Sequence, residues 1–332
     1  MSRKPIGQKK FPRYSIFAGA GLLILLLVLA TSPIIFSAKI FSSEKAEAEK
    51  KQTLETAKLQ ALEAKKQSDI YDQLMSIIQA RADKFPGEVG IYIKNLKTGD
   101  AVGLNDDKLF PSASLVKLPI MAAVYMADEE KKLSLDDKLK LKRCFKIRDS
   151  SKLYFARCGR SYPVHNLVER MIEESDNTAT NMLVDALGFG YINQKFVELG
   201  LRQTDLRRGV MDLKWRNCGI ENYTTCKEMA YLLEKIYRRE LVNGQASEEM
   251  LDILKKQKIK DRIPKLLPRD LDIAHKTGSL RDTISDVGIV FAPQGDFIIC
   301  VMTGDISSYK IAKRFISKVA KDIYNFYCRT SI

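Results

Sequence analysis

The sequence predicts an α+β fold carried behind a transmembrane helix and a helical stalk, and three observations support that expectation. Strand-like apolar runs stand near both ends of the C-terminal part of the chain, at 89–95 and 101–104 early and at 286–292 and 297–304 late, with helical periodicity between them. One antiparallel sheet, completed by N- and C-terminal segments and covered by the intervening helices, satisfies that order. Ahead of it, residues 15–38 carry no charge, and residues 42–69 contain neither Gly nor Pro.

In chain order, residues 1–14 carry Arg3, Lys4, Lys9, Lys10 and Arg13 and no acid, which marks a cytoplasmic tail. Residues 15–38 exceed the roughly 20 residues a helix needs to span a bilayer. Phe36-Ser37-Ala38 has a bulky residue where a signal-peptide cleavage site wants a small one, so an uncleaved signal anchor is expected. The domain beyond it then lies outside the cytoplasmic membrane. Residues 39–68 read as a helical stalk, long enough to reach about 40 Å at 1.5 Å per residue. Its heptad seam is largely alanine (Ala57, Ala61, Ala64 after Leu54), which fits a solvated helix better than a coiled coil. Self-association through the stalk stays open.

Residues 69–332 are the globular domain. A helix over 69–84 is closed by Phe85-Pro86-Gly87, and Lys97-Thr98-Gly99-Asp100 turns the first strand into the second. A helix over 114–125 follows, with Pro119 tolerable because the helix has scarcely begun. Helices are expected over 164–188, 191–199, 226–239, 247–257 and 308–327.

The formal net charge of +14 suits anionic surroundings. No helix-turn-helix, zinc-finger or ribonucleoprotein pattern is present, so nucleic acid is not the expected partner. With only His165 and His275, and six cysteines in no C-x-x-C arrangement, neither a metal nor another cofactor is expected. The nearest cysteine pairs in sequence are Cys144 with Cys158 and Cys218 with Cys226, and sequence leaves their pairing open. Cys300 reads as a buried thiol, His275 as a strand-edge residue, His165 as structural, and Trp215 and Tyr223 as core residues.

Ser114 and Lys117 lie three apart, on one face of a helix. A hydroxyl beside an amine is a nucleophile beside a base. That spacing recurs by chance roughly twice in such a chain, so partners are required. Ser175-Asp176-Asn177 and Lys276-Thr277-Gly278 follow in order, each an exact tripeptide expected by chance in well under about one chain in ten. This ordered trio is the signature of class A β-lactamases and penicillin-binding proteins. Over about residues 69–329 the sequence resembles that superfamily of penicillin-recognising serine hydrolases, specifically its class A β-lactamase-like branch. The resemblance includes Asn95-Leu96-Lys97-Thr98-Gly99, Phe110-Pro111-Ser112-Ala113-Ser114 and His275-Lys276-Thr277-Gly278-Ser279.

The resemblance implies a five-stranded antiparallel sheet paired with a helical half, with the site between them. It implies Ser114 as the acylated nucleophile, Lys117 as base, Ser175 as proton relay and Lys276 as the charge beside that relay. Asn177, Thr277, Gly278 and Ser279 would bind substrate, with the backbone N–H groups of Ser114 and Ser279 as oxyanion hole. Two features depart from the pattern. Where the class A glutamate that activates the deacylating water is expected, Val210 or Met211 stands, and Asp212 is the nearest acid. The arginine many relatives carry after the lysine-threonine-glycine strand is replaced near Ile284, leaving Arg281 as its substitute. Hydrolysis of β-lactams through an acyl-enzyme is the first expectation. A penicillin-binding or D-alanyl-D-alanine peptidase-like enzyme acting on peptidoglycan stem peptides is the second. A non-catalytic peptidoglycan-binding module is the third.

Overall fold

A computed structural model describes residues 17–148 and 152–330. The chain divides into two compact units, Met1–Asp69 and Ile70–Ile332. Helix α1, Phe17–Ala82, begins in the first and ends in the second. Its stalk portion has the helical backbone that a Glu/Lys/Ala-rich composition without Gly or Pro favours. Leu54, Leu59 and Leu62 are exposed along it. The basic tail 1–14 lies outside the described residues, as do the side chains of nearly all of the apolar segment 15–38. Among the described residues no helix is long and apolar enough to cross a membrane.

In the second unit β1 (Glu88–Asn95) and β2 (Ala101–Leu104) form a hairpin, closed by Asn95, whose side-chain oxygen accepts from Lys97 N and Thr98 N. β3 (Phe110–Pro111) leads into a 3₁₀ turn, Ala113–Val116, and α2 (Lys117–Glu129). Pro119 sits in the first turn of α2, where backbone donors have no intrahelical partner to lose. An excursion follows: β4 (Lys138–Lys140), a 3₁₀ turn Arg143–Phe145, α3 (Lys152–Phe155) and β5 (Ser161–Pro163). The single helix expected over 164–188 is two, α4 (Val164–Glu173) and α5 (Asn177–Leu187). Then come α6 (Phe189–Glu198), α7 (Leu213–Asn217), β6 (Tyr223–Thr224), α8 (Cys226–Tyr237) and α9 (Gly244–Lys255). A 3₁₀ turn at Ile263–Leu266 precedes β7 (Ile273–Leu280), β8 (Thr283–Val290), β9 (Phe297–Gly304) and α10 (Tyr309–Thr330).

The expected five-stranded antiparallel sheet has the order β2-β1-β9-β8-β7. Every residue of β9 is buried because helices cover both faces of this central strand. Phe297, Ile299 and Val301 face the core formed with α10 and the 70–82 end of α1, while Ile298, Cys300 and Met302 face the helical half. This two-residue alternation is what turns a continuous apolar run into a strand serving two cores.

Candidate active site

The site lies where edge strand β7 meets the turn Ala113–Val116 and the break between α4 and α5. Ser114 is half-buried in that turn, and Lys117 follows fully buried at the start of α2. Ala113, immediately before Ser114, has φ +48°, a left-handed conformation costly for a residue with a Cβ. Ser175 has φ +57°. Strained backbone of this kind persists where surrounding structure fixes it, often at reactive centres. Gly278 lets β7 close on the Ala113–Val116 turn: a Cβ there would lie 3.2 Å from Leu115 Cγ and 3.3 Å from Ala113 Cβ.

Asp176 explains the second motif. Its carboxylate accepts from Ala179 N at 2.9 Å and caps α5, satisfying a helix-end donor. The cap turns Ser175 and Asn177 toward Lys117. Lys117 Nζ donates to Ser175 O and Asn177 Oδ1, each at 2.6 Å, and to Ser175 Oγ at 3.1 Å. These acceptors offset much of the cost of burying the lysine nitrogen. Lys276 Nζ donates to the same Ser175 Oγ at 3.1 Å and to Thr277 O at 3.0 Å. Burial above all, then the nearby Lys117 and Arg262, push the Lys276 pKa well below the usual lysine value, against the pull of Asp286.

Thr277 is buried and Ser279 exposed on the same strand. Arg262, just before the Ile263–Leu266 turn, is buried and donates through Nη2 to Ser279 Oγ at 2.5 Å and through Nη1 to Ser285 O at 3.3 Å. Burial lowers its pKa from the usual arginine value, with Asp286 and Asp261 opposing. Arg262 is a residue beside the candidate site that the sequence did not reveal. It lies 14 residues before Lys276 along the chain, and only the fold sets it beside Ser279. Arg281, expected in its stead, is exposed in the β7–β8 turn, so its side chain is solvated.

The loop from Thr204 to Asn222 supplies no comparable chemistry. Val210 is buried in the helical core, and Met211 stands at φ +64° with 36% exposure. Asp212 caps α7, accepting from Trp215 N. Asp205 accepts from Arg207 Nε and Tyr223 N. Glu221 accepts from Arg208 at 2.5 Å and Arg216 at 2.7 Å. Asn222 ties the loop together, accepting from Arg207 N and Arg208 N, and its carbonyl accepts from Ser112 N at 2.7 Å.

The remaining expectations divide. His275 lies on edge strand β7 but is buried, its Nδ1 2.9 Å from Asp286 Oδ1. His165 is exposed. Trp215 is 52% exposed because the five-residue α7 buries none of its side chains, and Tyr223 is half-buried opposite Pro111. Cys144, Cys158 and Cys218 are exposed free thiols, whereas Cys226 and Cys300 are buried ones whose pKa burial pushes up.

The sequence matches the β-lactamase enzyme family over residues 73–327. It is 25% identical over 257 residues to β-lactamase VEB-1 of Pseudomonas aeruginosa, covering 72% of this chain and 85% of that protein. It is 27% identical over 209 residues to β-lactamase SME-1 of Serratia marcescens, covering 61% and 70%. Among solved structures, a leucine-to-glutamate mutant of PBP-A in acyl-enzyme complex with penicillin G superposes with a TM-score of 0.73 at 28% identity, covering 78% of this chain and 97% of that one. A β-lactamase from Sphaerobacter thermophilus gives 0.71 at 27% identity, covering 78% and 98%.

Proposed function

The chain belongs to the β-lactamase enzyme family and is a β-lactamase-like serine hydrolase, and from that premise we propose that Ser114 is acylated by β-lactams and by D-alanyl-D-alanine-type stem peptides, with deacylation as the slow step. One observation carries the acylation half: the Ser175 hydroxyl lies 3.1 Å from both Lys117 Nζ and Lys276 Nζ. Lys117, as free amine, takes the Ser114 proton while Oγ attacks the amide carbonyl carbon. The proton then passes through Ser175 to the leaving nitrogen, breaking the C–N bond. Backbone N–H groups of Ser114 and Ser279 stabilise the oxyanion, where most charge develops. Asn177 holds the substrate amide. Thr277, Ser279 and Arg262 receive its carboxylate, the guanidinium being suited to that planar partner.

Slow deacylation is supported by the loop. Val210 or Met211 replaces a water-activating glutamate, and Asp205, Asp212 and Glu221 all hold protein partners. PBP-A, whose acyl-enzyme was captured in a leucine-to-glutamate mutant, is a relative of the penicillin-binding kind. Intact mass spectrometry after benzylpenicillin tests the nucleophile: the parent gains one stoichiometric adduct and Ser114→Ala none. A parent that never gains the adduct leaves the non-catalytic module. A chromogenic cephalosporin then separates the enzyme readings, since a stoichiometric burst supports slow release and sustained fast turnover excludes it.

The uncharged segment 15–38 after a basic tail supports a single-pass anchor in a bacterial cytoplasmic membrane, N-terminus inside and hydrolase outside. Protease added to spheroplasts digests the hydrolase in that topology. Protection of the domain rules it out.

A further inference from the structure

We propose that the face formed by β4, the Arg143–Phe145 turn and β5 is an exosite for the carboxylates of a polyanionic peptide substrate, beside the catalytic cleft. The proposal rests on the reading of Ser114 as an acyl acceptor and adds the chemistry of the chain presented to it. Between Lys138 and Arg160 stand nine lysines and arginines and a single acid. β4 and β5 pair antiparallel, Lys138 opposite Pro163 and Lys140 opposite Ser161. Lys138 and Lys140 project from one side of β4, two residues apart, and both are exposed. The stem of Lys140 crosses toward Gly159, where a Cβ would meet its Cε at 3.8 Å. Exposed Arg143, Arg157 and Arg160 extend the face. Arg160 sits 5.2 Å over the Tyr162 ring and Lys142 5.1 Å over Phe145, so aromatic rings support cationic groups at the surface.

These charges are largely unneutralised. Lys142 pairs with Asp185 at 3.4 Å and Lys152 with Glu174 at 3.3 Å. Lys138, Lys140, Arg143, Arg157 and Arg160 form no ion pair among the described residues. Clustered like charge raises a local positive potential that attracts and steers anions. Its position fixes what those anions belong to. Ile147 N donates to Thr178 Oγ1 at 3.1 Å, the residue after Asn177, and the Lys152 pair reaches Glu174, the residue before Ser175. The patch therefore borders the catalytic cleft on the Ser175–Asn177 side. Phe155, 80% exposed with Tyr154 edge-on at 5.0 Å, adds an apolar surface beside the cations. An acidic peptide strand whose terminal amide enters the cleft meets this face with its remaining carboxylates.

The test uses the full-length protein in neutral detergent and two penicillins, one with an uncharged aryl side chain and one whose side chain bears a carboxylate. Acylation rates are compared for the parent and for the triple variant Lys140→Glu, Arg143→Glu, Arg157→Glu. The parent should favour the anionic penicillin several-fold at low ionic strength and lose the preference near 1 M salt, where screening acts within about 3 Å. The variant should disfavour the anionic penicillin by about tenfold while keeping the neutral rate, the size expected of steering by rim charges. An unchanged preference overturns the exosite. Failure of both penicillins to acylate the parent instead overturns the nucleophile reading. Sedimentation with purified peptidoglycan against vesicles of anionic phospholipid separates the anion sources. Loss of peptidoglycan binding in the variant supports the proposal, and loss of vesicle binding alone overturns it in favour of a membrane surface. If the variant does not fold, the salt dependence of the parent's preference decides.

Discussion

The corner around Ser175 and the loop from Thr204 to Asn222 handle ionisable groups in opposite ways. At the corner two buried lysines point at one hydroxyl, and the Lys276 pKa is driven down by burial and by Lys117. In the loop every carboxylate serves the backbone or an arginine: Asp212 caps α7, Asp205 orders Arg207 and Tyr223, and Glu221 joins two guanidiniums. The first arrangement keeps two amines buried beside a hydroxyl at an energetic cost. The second spends its charges on holding a loop in place. Groups poised for proton transfer accelerate a step, and groups satisfied by structural partners do not, and this contrast is what supports the proposal of acylation at Ser114 with slow release.

The largest effect should come from the corner. Lys117→Ala removes the proposed base and should slow acylation by about 10³-fold, within the range of general-base contributions. Stopped-flow adduct formation measures it, and an unchanged rate would move the base role elsewhere. Next is Val210→Glu or Met211→Glu, which puts a glutamate where the water-activating one is expected. Deacylation should rise by about 10²-fold, read as release of a preformed penicilloyl adduct, with the acylation rate held. Arg262→Ala should lower acylation efficiency about ten- to a hundredfold for substrates bearing a carboxylate, through loss of a charge-assisted hydrogen bond. The loss should appear in KM more than in kcat, and Arg281→Ala should leave both unaltered.

Lys276 makes the comparison visible in stability. Its folded-state pKa lies below the unfolded value, so the unfolded chain binds more protons between the two, and stability rises with pH across that window. Below the folded pKa the cost of burying the ammonium is fully present. Lys276→Met should flatten the rise, which urea denaturation at several alkaline pH values measures. The smallest effect is expected from Asp212→Ala. Losing the α7 cap should cost about 1 kcal/mol and leave acylation and deacylation rates as they were. A drop in deacylation would make Asp212 a water-activating group after all.

Much of the frame follows from local chemistry. Alternating or continuous apolar runs specify β1, β8 and β9, because side chains two apart share a face and a strand covered on both sides must be apolar throughout. Phe85-Pro86-Gly87 stops α1 for reasons contained in those residues. The break inside 164–188 was less legible. Periodicity runs across Glu174–Asp176, and the interruption depends on Asp176 capping α5 while Ser175 takes a left-handed turn held by Lys117.

By itself the sequence determined the early and late strands and most of the longer helices, the three motifs and hence Ser114, Lys117, Ser175 and Lys276, and the lack of a glutamate where Val210 or Met211 stands, since each depends on residue identity and near spacing. Only the tertiary structure decided that Arg262, not Arg281, reaches Ser279, that His275 turns inward to Asp286, and that the loop carboxylates are already engaged. Those outcomes turn on hydrogen bonds and ion pairs between segments far apart in the chain, and their strength depends on burial, which exists only once the sheet and the helical half have closed on each other.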